Sequence, residues 1–289
     1  MTSFDEITAL VKSRSGLTLG ADKTYLLETR LAPIARRLGV SDFHALAPRL
    51  RHDRALQDEV VEALTTNETL FFRDSRPFDH VRDVAIPRLL AGRPAGASLR
   101  VWSAAAATGQ EAYSLAMLFS EMGPKLGACM VQILGTDIAR IPLARAREGL
   151  YSQFEVQRGL PARMLVKYFR KEDEGWRLIK PIRDMVEFRE WNLLSDASTL
   201  GRFDIIFCRN VLIYFDPPTK ARVLEMLASR LGPGGLLFLG AAESVTGLTS
   251  AVRPVAGEHF VFEVPAAAVR TPLKDAAPSV RTPLRASLG

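Results

Sequence analysis

An apolar run at 203–208, FDIIFC, constrains the fold of this chain more strongly than any other stretch. A run so rich in isoleucine and phenylalanine is typical of a strand that is buried on both faces of a parallel sheet. Arg209 and Asn210 follow it directly, and Tyr214 lies just beyond. In open α/β sheets, ligands bind beyond the carboxyl ends of such strands. These three polar side chains are therefore better candidates for chemistry than for packing.

From residue 99 onward, strand patterns alternate with amphipathic helix patterns. The strand candidates are LRVWS, MVQILGTD, VEFREW, FDIIFC, LLFLG and EHFVFEV, and helix candidates such as GQEAYSLAMLFSEM and PTKARVLEMLASRL lie between them. This alternation predicts βαβ units in a mostly parallel, doubly wound α/β sheet. Residues 168–190 break the rhythm, because WRLIK and MVEFR on either side of Pro181 predict a small antiparallel β insertion.

The N-terminal part of the chain has helical periodicity instead. An apolar stripe runs along residues 23–38, and Pro33 within it predicts a kink or a division of that helix. Three basic residues recur every seven positions along one edge of the same helix: Lys23, Arg30 and Arg37. We therefore expect an all-helical domain with its linker at 1–75, followed by an α/β domain at 76–265.

The composition argues against several classes of protein. Hydrophobic residues make up 47% of the chain and charged residues 24%, as in a soluble globular protein. No apolar run is long enough to cross a bilayer, which predicts a cytoplasmic protein without membrane insertion. Half of the net charge of +6 lies in 266–289, which repeats VRTPL and which we expect to be a disordered basic tail. No basic run is interleaved with aromatic residues, so no nucleic-acid partner is expected.

The cysteines and histidines give no sign of a metal site. Cys129 and Cys208 both lie in apolar, strand-like runs, which is typical of reduced and buried thiols. The four histidines are scattered along the chain, and none has a second ligand at metal spacing. We therefore expect no bound metal.

Two further patterns point to a ligand, although each has a structural alternative. The strand LRVWS leads through a turn of small residues into a helix, a unit that brings backbone N–H groups close to a ligand. Glu111, in the first turn of that helix, either stabilises the helix dipole or accepts a hydrogen bond from a cationic group. Asp137, at the tip of the next strand, either binds a ribose or caps the following helix.

Taken together, the motifs resemble the CheR family, the S-adenosylmethionine-dependent methyltransferases that esterify glutamates on bacterial chemoreceptors. The matching runs occur in the order that the family shows: TTNETLFFRD, VWSAAAATGQEAYSLAM, GTDI, RGLP with a following YF, NLL, FDIIFCRNVLIYFD and PGGLLFLGAAES. The resemblance implies a Rossmann-like class I methyltransferase fold, preceded by the helical domain and carrying the small β insertion. It implies S-adenosylmethionine as the cofactor and S-adenosylhomocysteine as the product.

The resemblance also implies which residues contact the cofactor. These are Asn67, Thr69, Arg73, Glu111, Asp137, Asn192, Leu193, Arg209 and Asn210. Arg73 then pairs with the methionine carboxylate, Glu111 accepts from the ammonium group, and Asp137 accepts from the ribose. Asn192 lies at the adenine.

Three residues are implied in the reaction itself. Tyr214 matches the family tyrosine that lies near the transferred methyl group, and Arg73 and Arg209 are the accompanying cations. For Arg209, holding the turn after its strand is the structural alternative. The partner that the resemblance implies is the helical cytoplasmic bundle of a methyl-accepting chemoreceptor. The basic edge of the 23–38 helix suits docking on that bundle, but an ordinary solvated face explains it too. We expect a monomer.

The chain departs from the family in the turn after WSA, where residues 105–107 are all alanine. Alanine resists positive φ, so we expect the turn to form if its dihedral angles are ordinary, with at most a modest loss of cofactor affinity. The departure keeps a second function open, that of a non-catalytic adaptor which binds S-adenosylmethionine or S-adenosylhomocysteine in a signalling array. A methyltransferase of a small acid or of RNA is a further alternative.

Overall fold

The computed structural model describes residues 2–94 and 96–265. The expected disorder of the tail at 266–289 and its VRTPL repeat lie outside the described residues. The chain begins with four helices: α1 (Ser3–Ser15), α2 (Thr24–Arg37), α3 (Phe43–Leu50) and α4 (Arg54–Leu64). Short polar side chains begin three of them, since Thr2, Asp42 and Asp53 each accept a hydrogen bond from a backbone N–H of the first turn.

The four helices bury their apolar faces against one another. Ile7, Leu27, Leu46 and Val60, one from each helix, are all fully buried. The predicted division of α2 at Pro33 is wrong, because the helix continues through that residue. The buried stripe on either side of the proline holds α2 in one piece, since tertiary packing supplies most helix stability.

A second helical stretch leads from the helical domain into the sheet. It consists of α5 (Arg76–His80), a π-helical turn (Val81–Ala85) and α6 (Ile86–Leu90). Further along the chain, helices α7 (Gln110–Met122), α8 (Arg140–Glu148) and α12 (Pro217–Arg230) connect the strands of the main sheet.

The main sheet has seven strands: β1 (Ser98–Ala104), β2 (Met130–Asp137), β6 (Val186–Glu190), β7 (Phe203–Cys208), β8 (Leu231–Leu239), β9 (Arg253–Pro254) and β10 (Val261–Glu263). Their order is β6-β2-β1-β7-β8-β10-β9. The first five are parallel, while β10 is antiparallel to β8 and β9 is antiparallel to β10. The predicted mostly parallel, doubly wound sheet is therefore confirmed.

A separate antiparallel sheet has the order β3-β5-β4, formed by β3 (Leu150–Tyr151), β4 (Phe169–Glu172) and β5 (Gly175–Leu178). Short helices accompany it: α9 (Gln153–Gln157), α10 (Ala162–Tyr168) and α11 (Lys180–Arg183). The prediction that MVEFR pairs with WRLIK in this insertion is wrong, because Val186–Glu190 pairs in parallel with β2. Its alternating burial, with Val186 and Phe188 inward, gives an edge strand of the main sheet.

The two faces of the sheet carry separate hydrophobic cores. Ile206 of β7 belongs to the core that continues into the N-terminal helices and α12. Its neighbours Ile205 and Phe207 belong to the opposite core, which is formed with α5 to α8. Successive side chains of a strand point to opposite faces, so a strand that is covered on both faces is apolar throughout. This explains why residues 205–208 are all apolar, whereas Asp204 near the start of the strand is only half-buried.

Candidate active site

A cleft of about 890 Å³ opens at the carboxyl ends of β1, β2, β6 and β7. All ten residues that the family resemblance implies line it: Asn67, Thr69, Arg73, Glu111, Asp137, Asn192, Leu193, Arg209, Asn210 and Tyr214. The four strands are neighbours in the sheet, so their polar tips meet at one edge.

The alanine turn after β1 forms, but not with ordinary dihedral angles. Ala105 and Ala107 have φ values of 62° and 48°, in the left-handed region. The Ala106 N–H donates to the Thr136 carbonyl at 2.8 Å, and the Ala107 N–H donates to Asp137 Oδ2 at 2.8 Å. These hydrogen bonds to the end of β2 hold the turn in a conformation that alanine resists.

The Asp137 carboxylate accepts hydrogen bonds from the segments that follow β1 and β2. Besides the Ala107 N–H, its carboxylate accepts the Ala139 N–H at 2.8 Å. The N-cap residue of α8 is Ala139, so Asp137 does not occupy that position. Burial raises the pKa of Asp137, and the backbone donors oppose that rise. The result is a buried carboxylate on the wall of the cleft.

Arg209 lies beneath the cleft, with only 1% of its side chain exposed. Its Nη1 is 3.2 Å from Glu111 Oε2, and its Nη2 is 2.8 Å from Asp74 Oδ2. The same Nη2 donates to the Arg73 carbonyl at 2.9 Å. Two carboxylates thus neutralise this guanidinium, which makes it a link between segments rather than a free cation.

The Glu111 side chain is 13% exposed and is held by partners on two sides. Burial raises its pKa, while the adjacent Arg209 charge lowers it. The Ser103 hydroxyl also donates to Glu111 Oε1 at 2.8 Å. The Glu111 carboxylate thus lines the cleft and is fixed by Ser103 of β1 and by Arg209, which follows β7.

Arg73 lies between two residues with left-handed backbone. Phe72 has φ 48° and Asp74 has φ 57°. Asp74 is held by its ion pair with Arg209, and the Phe72 N–H donates to the Ser114 hydroxyl at 2.9 Å. These bonds fix the segment on both sides of Arg73 and place it on the wall of the cleft.

The helical domain contributes lining residues that the sequence analysis missed. Ser15 and Leu17, at the end of α1, line the cleft. Leu17 forms an antiparallel bridge with Phe215, and the Thr18 N–H donates to the Tyr214 carbonyl at 2.9 Å. No short-range pattern predicts this contact, since it joins segments about 200 residues apart in the chain.

The segment after β6 closes the side of the cleft next to Asp137. The Trp191 N–H donates to the Asp137 carbonyl at 2.8 Å. The Asn192 side chain accepts the Leu194 N–H at 2.9 Å and donates to the Arg14 carbonyl. Asn192 therefore connects β6 with the end of α1, besides lining the cleft.

A further residue that the sequence does not single out is Glu243, within the PGGLLFLGAAES run. Its carboxylate is 7% exposed and accepts hydrogen bonds from the backbone of the 210–212 segment. A glutamate 33 residues after Asn210 carries no local sequence signal of this contact.

The basic edge of α2 is largely engaged within the protein. Arg30 donates to the Leu64 and Thr65 carbonyls, and so supports the segment that leads from α4 to the cleft. Arg37 forms an ion pair with Glu59. The edge is therefore less available for docking than its spacing suggests.

The comparisons with known proteins agree with this geometry. Residues 67–261 match the family model described as the CheR methyltransferase SAM binding domain. Residues 2–65 match the model described as the CheR methyltransferase all-alpha domain. The chain belongs to the CheR methyltransferase family. The resemblance seen in the motifs is confirmed, and with it the assignment as an S-adenosylmethionine-dependent methyltransferase of chemotaxis.

Relatives with curated names support the same conclusion. The chain is 40% identical to the chemotaxis protein methyltransferase Cher2 of Pseudomonas putida, over 85% of this chain and 91% of the relative. It is 40% identical to chemotaxis protein methyltransferase 1 of Vibrio cholerae, over 85% of this chain and 90% of the relative. It is also 40% identical to chemotaxis protein methyltransferase 1 of Pseudomonas aeruginosa, with coverages of 85% and 91%.

The structure of this CheR-family chain bears on two further expectations. Among residues 2–94 and 96–265, no helix is long and apolar enough to cross a membrane. Within the same ranges, no three histidine, cysteine, aspartate or glutamate side chains are placed together so as to hold a metal ion.

Proposed function

We propose that this protein transfers the methyl group of S-adenosylmethionine to glutamate side chains of a methyl-accepting chemoreceptor, which yields glutamate 5-O-methyl esters. The observation that carries the proposal is the convergence of all ten implied residues on one cleft. The names of the relatives support the chemotaxis context. The proposed site of action is the cytoplasm, and the proposed acting form is a monomer.

The charges around the cleft fit the proposed cofactor. S-adenosylmethionine carries an ammonium group, a sulfonium group and a carboxylate. Glu111 and Asp137 offer carboxylates for the cationic and hydroxyl groups. In the described part of the chain, the Arg73 guanidinium has no ion pair and only one long hydrogen bond, to the Glu68 carbonyl at 3.4 Å. Arg73 is therefore the cation that remains available to a ligand carboxylate.

The proposed reaction needs alignment rather than a general base. The bound cofactor supplies an electrophilic methyl group on sulfur. A glutamate carboxylate with a pKa of about 4.3 is already ionised at neutral pH, so no protein group has to remove a proton. Catalysis then depends on holding the acceptor oxygen in line with the methyl group and on excluding water. This agrees with a cleft whose carboxylates are either buried or engaged.

In this reaction Tyr214 is the proposed catalytic residue and Arg209 a positioning residue. Tyr214 lines the cleft, and the Thr18 N–H holds its backbone carbonyl. Arg209 was implied as a catalytic cation, but its charge is taken up by Glu111 and Asp74. We therefore propose that Arg209 has the structural role that the sequence left open. It holds the turn after β7 and joins that turn to the segments around Glu111 and Asp74.

The second candidate function is a non-catalytic adaptor that binds the cofactor. The left-handed alanines at 105 and 107 favour it, because their conformation weakens the part of the site where backbone approaches the ligand. The complete set of lining residues favours the enzyme. The two differ in turnover, since the adaptor binds S-adenosylhomocysteine without transferring a methyl group.

The test is transfer of labelled methyl from S-adenosylmethionine to receptor-containing membranes, with wild type, Tyr214→Phe and Tyr168→Phe. Tyr168 bonds to Glu121 and Ser120 outside the cleft, so its variant controls for loss of a tyrosine hydroxyl. We expect base-labile label on the receptor that falls by about tenfold or more only in Tyr214→Phe. No transfer together with S-adenosylhomocysteine binding in calorimetry contradicts the proposal and supports the adaptor.

A further inference from the structure

The segment that carries Asn210 is held by a single carboxylate. Glu243 Oε2 accepts the backbone N–H groups of Asn210 at 3.0 Å and Gly240 at 2.7 Å. Its Oε1 accepts those of Val211 at 3.0 Å and Leu212 at 2.7 Å. Four backbone donors thus converge on one side chain that is almost entirely buried.

These hydrogen bonds fix a segment whose backbone conformation is unfavourable for a residue other than glycine. Asn210 has φ 60°, and the chain continues from Val211 into a 3₁₀ turn at Leu212–Tyr214. A left-handed residue at a functional site persists when its surroundings over-determine it. Glu243 is the group that does so here, because it bonds Asn210 and the next two residues in succession.

The segment presents two residues to the cleft. Asn210 lines it at the start of the segment, and Tyr214 lines it at the end of the 3₁₀ turn. The carboxylate itself does not line the cleft, so its influence on a ligand passes through the residues that it holds.

The close packing at Gly240 allows a second substitution that perturbs the same contact. A Cβ atom at position 240 would lie 2.9 Å from Glu243 Oε2 and 3.0 Å from the Asn210 backbone nitrogen. Both distances are shorter than ordinary contacts, so an alanine there displaces the carboxylate or the segment. Gly240→Ala therefore perturbs the contact while the charge of Glu243 is retained.

We propose that Glu243 is a positioning residue for methyl transfer, which sets the place of Tyr214 and Asn210 relative to the acceptor oxygen. This role rests on the proposed function, and it is new in that Glu243 lies outside the cleft. Glutamine cannot replace this carboxylate, because its amide has one acceptor oxygen and points N–H groups at two of the four donors.

The first test compares Glu243→Gln with Asp204→Asn. Asp204 also accepts a backbone N–H, that of Arg100 at 2.8 Å, but it lies near the start of β7, away from the cleft. A displacement of about 1 Å costs about a hundredfold in rate, so we expect kcat to fall ten- to a hundredfold in Glu243→Gln. We expect the dissociation constant of S-adenosylhomocysteine to change by less than about fivefold, since most of the lining is unchanged. Gly240→Ala should likewise lower kcat and leave the dissociation constant of S-adenosylhomocysteine nearly unchanged.

A double-mutant cycle separates positioning from simple loss of stability. If Glu243 acts through Tyr214, the double variant Glu243→Gln/Tyr214→Phe loses little more kcat than the worse single variant. Asp204→Asn should instead combine additively with Tyr214→Phe. Additive losses for Glu243→Gln, or an equal fall of kcat in Asp204→Asn, would overturn the assignment.

Hydrogen exchange provides a readout that does not depend on turnover. We expect the amides of residues 210–212 to exchange faster in Glu243→Gln, whereas those of β1 and β2 keep their protection. Unchanged exchange at 210–212 contradicts the positioning role whether or not methyl transfer occurs. An inactive wild type would contradict the proposed function alone, and an active wild type with unaffected Glu243→Gln would contradict this inference alone.

Discussion

Two alanines in the turn after β1 hold backbone conformations that glycine adopts more readily. Ala105 and Ala107 have positive φ, whereas Ala106 between them does not. For residues other than glycine the left-handed region costs roughly 1–2 kcal/mol, and part of this is offset by the entropy that glycine loses on folding. The turn therefore stores strain beside the cofactor cleft.

This strain predicts opposite effects for neighbouring glycine substitutions. Ala105→Gly should raise the free energy of unfolding by about 0.5–1 kcal/mol, because it relieves the positive φ of a half-buried residue. Ala106→Gly should lower it by a similar amount, since Ala106 is buried and has no positive φ. Urea denaturation of both variants measures the difference. Destabilisation by Ala105→Gly as large as by Ala106→Gly would contradict the strained turn.

The ion pairs of Arg209 should matter far more for stability than those at the surface. Removing one partner of a buried ion pair typically costs about 3–5 kcal/mol, because the other charge stays buried. We expect such a loss for Arg209→Met, whose partner Glu111 is enclosed. Arg140 pairs with Glu190 at an exposed site, so Arg140→Met should cost about 0–1 kcal/mol. Equal losses in denaturant unfolding would contradict the role of Arg209 as a buried link.

Among the individual residues, those within contiguous motifs were predictable and those brought in by distant packing were not. The runs at 65–74 and 203–216 supplied Arg73 and Tyr214, and both line the cleft. Leu17 and Glu243 come from segments whose relation to the cleft is set only when the domains and strands pack. The ion pairs of Arg209 were not predictable either, since Glu111 and Asp74 meet around it only in the folded chain.

At the scale of elements, α1 and α12 are joined by an ion pair next to the cleft. Lys12 Nζ lies 2.8 Å from Asp216 Oδ2, and Asp216 also begins α12 by accepting the Thr219 N–H at 3.0 Å. The hydrogen bond from Lys12, followed by that from Thr219, lowers the pKa of Asp216 to about 2. The link connects the helical domain to the segment that contains Tyr214.

The lowered pKa gives this link a defined pH dependence. Its contribution to stability is fully present above the ordinary aspartate pKa of 3.8 and is lost as the pH falls through about 2. Wild type should therefore be more stable than Asp216→Asn at pH 6, and the difference should shrink progressively below about pH 4. Urea unfolding of both proteins across this range measures it. A difference that stays constant down to pH 3 would show that Asp216 has no lowered pKa.

The elements that the sequence predicted poorly are those whose partners are remote in the chain. The VEFRE segment has the composition of a strand in either sheet, and its parallel pairing with the distant strand β2 leaves no local signal in the sequence. The two-residue strand β3 is too short to produce an alternating pattern. The core strands of the main sheet were predictable because burial on both faces makes them apolar throughout.

At the scale of the whole molecule, the cleft is lined by the helical domain as well as by the sheet. Ser15 and Leu17 belong to the first, and the core around α1 to α4 continues into one face of the sheet. A ligand in the cleft should therefore stabilise both parts together. We expect one cooperative unfolding transition rather than two.

S-adenosylhomocysteine at a hundredfold excess over its dissociation constant should raise the free energy of unfolding by about 2.7 kcal/mol. Asp137→Ala, which removes a lining carboxylate, should abolish most of this gain. Asp184→Ala provides the control, since Asp184 pairs with Lys180 on an exposed helix away from the cleft. Thermal or denaturant unfolding with and without ligand measures both. Two separate transitions, of which only one responds to the ligand, would contradict a shared cleft.

Mass spectrometry of the receptor identifies the residue that accepts the methyl group, which we propose to be a glutamate. A purified cytoplasmic fragment of a methyl-accepting chemoreceptor would be incubated with the protein and S-adenosylmethionine, and its peptides mapped before and after mild alkaline treatment. We expect methyl groups on glutamate side chains that alkali removes, and little modification by Tyr214→Phe. Alkali-stable methyl groups on other residues, or an unmodified receptor in the presence of bound cofactor, would contradict it.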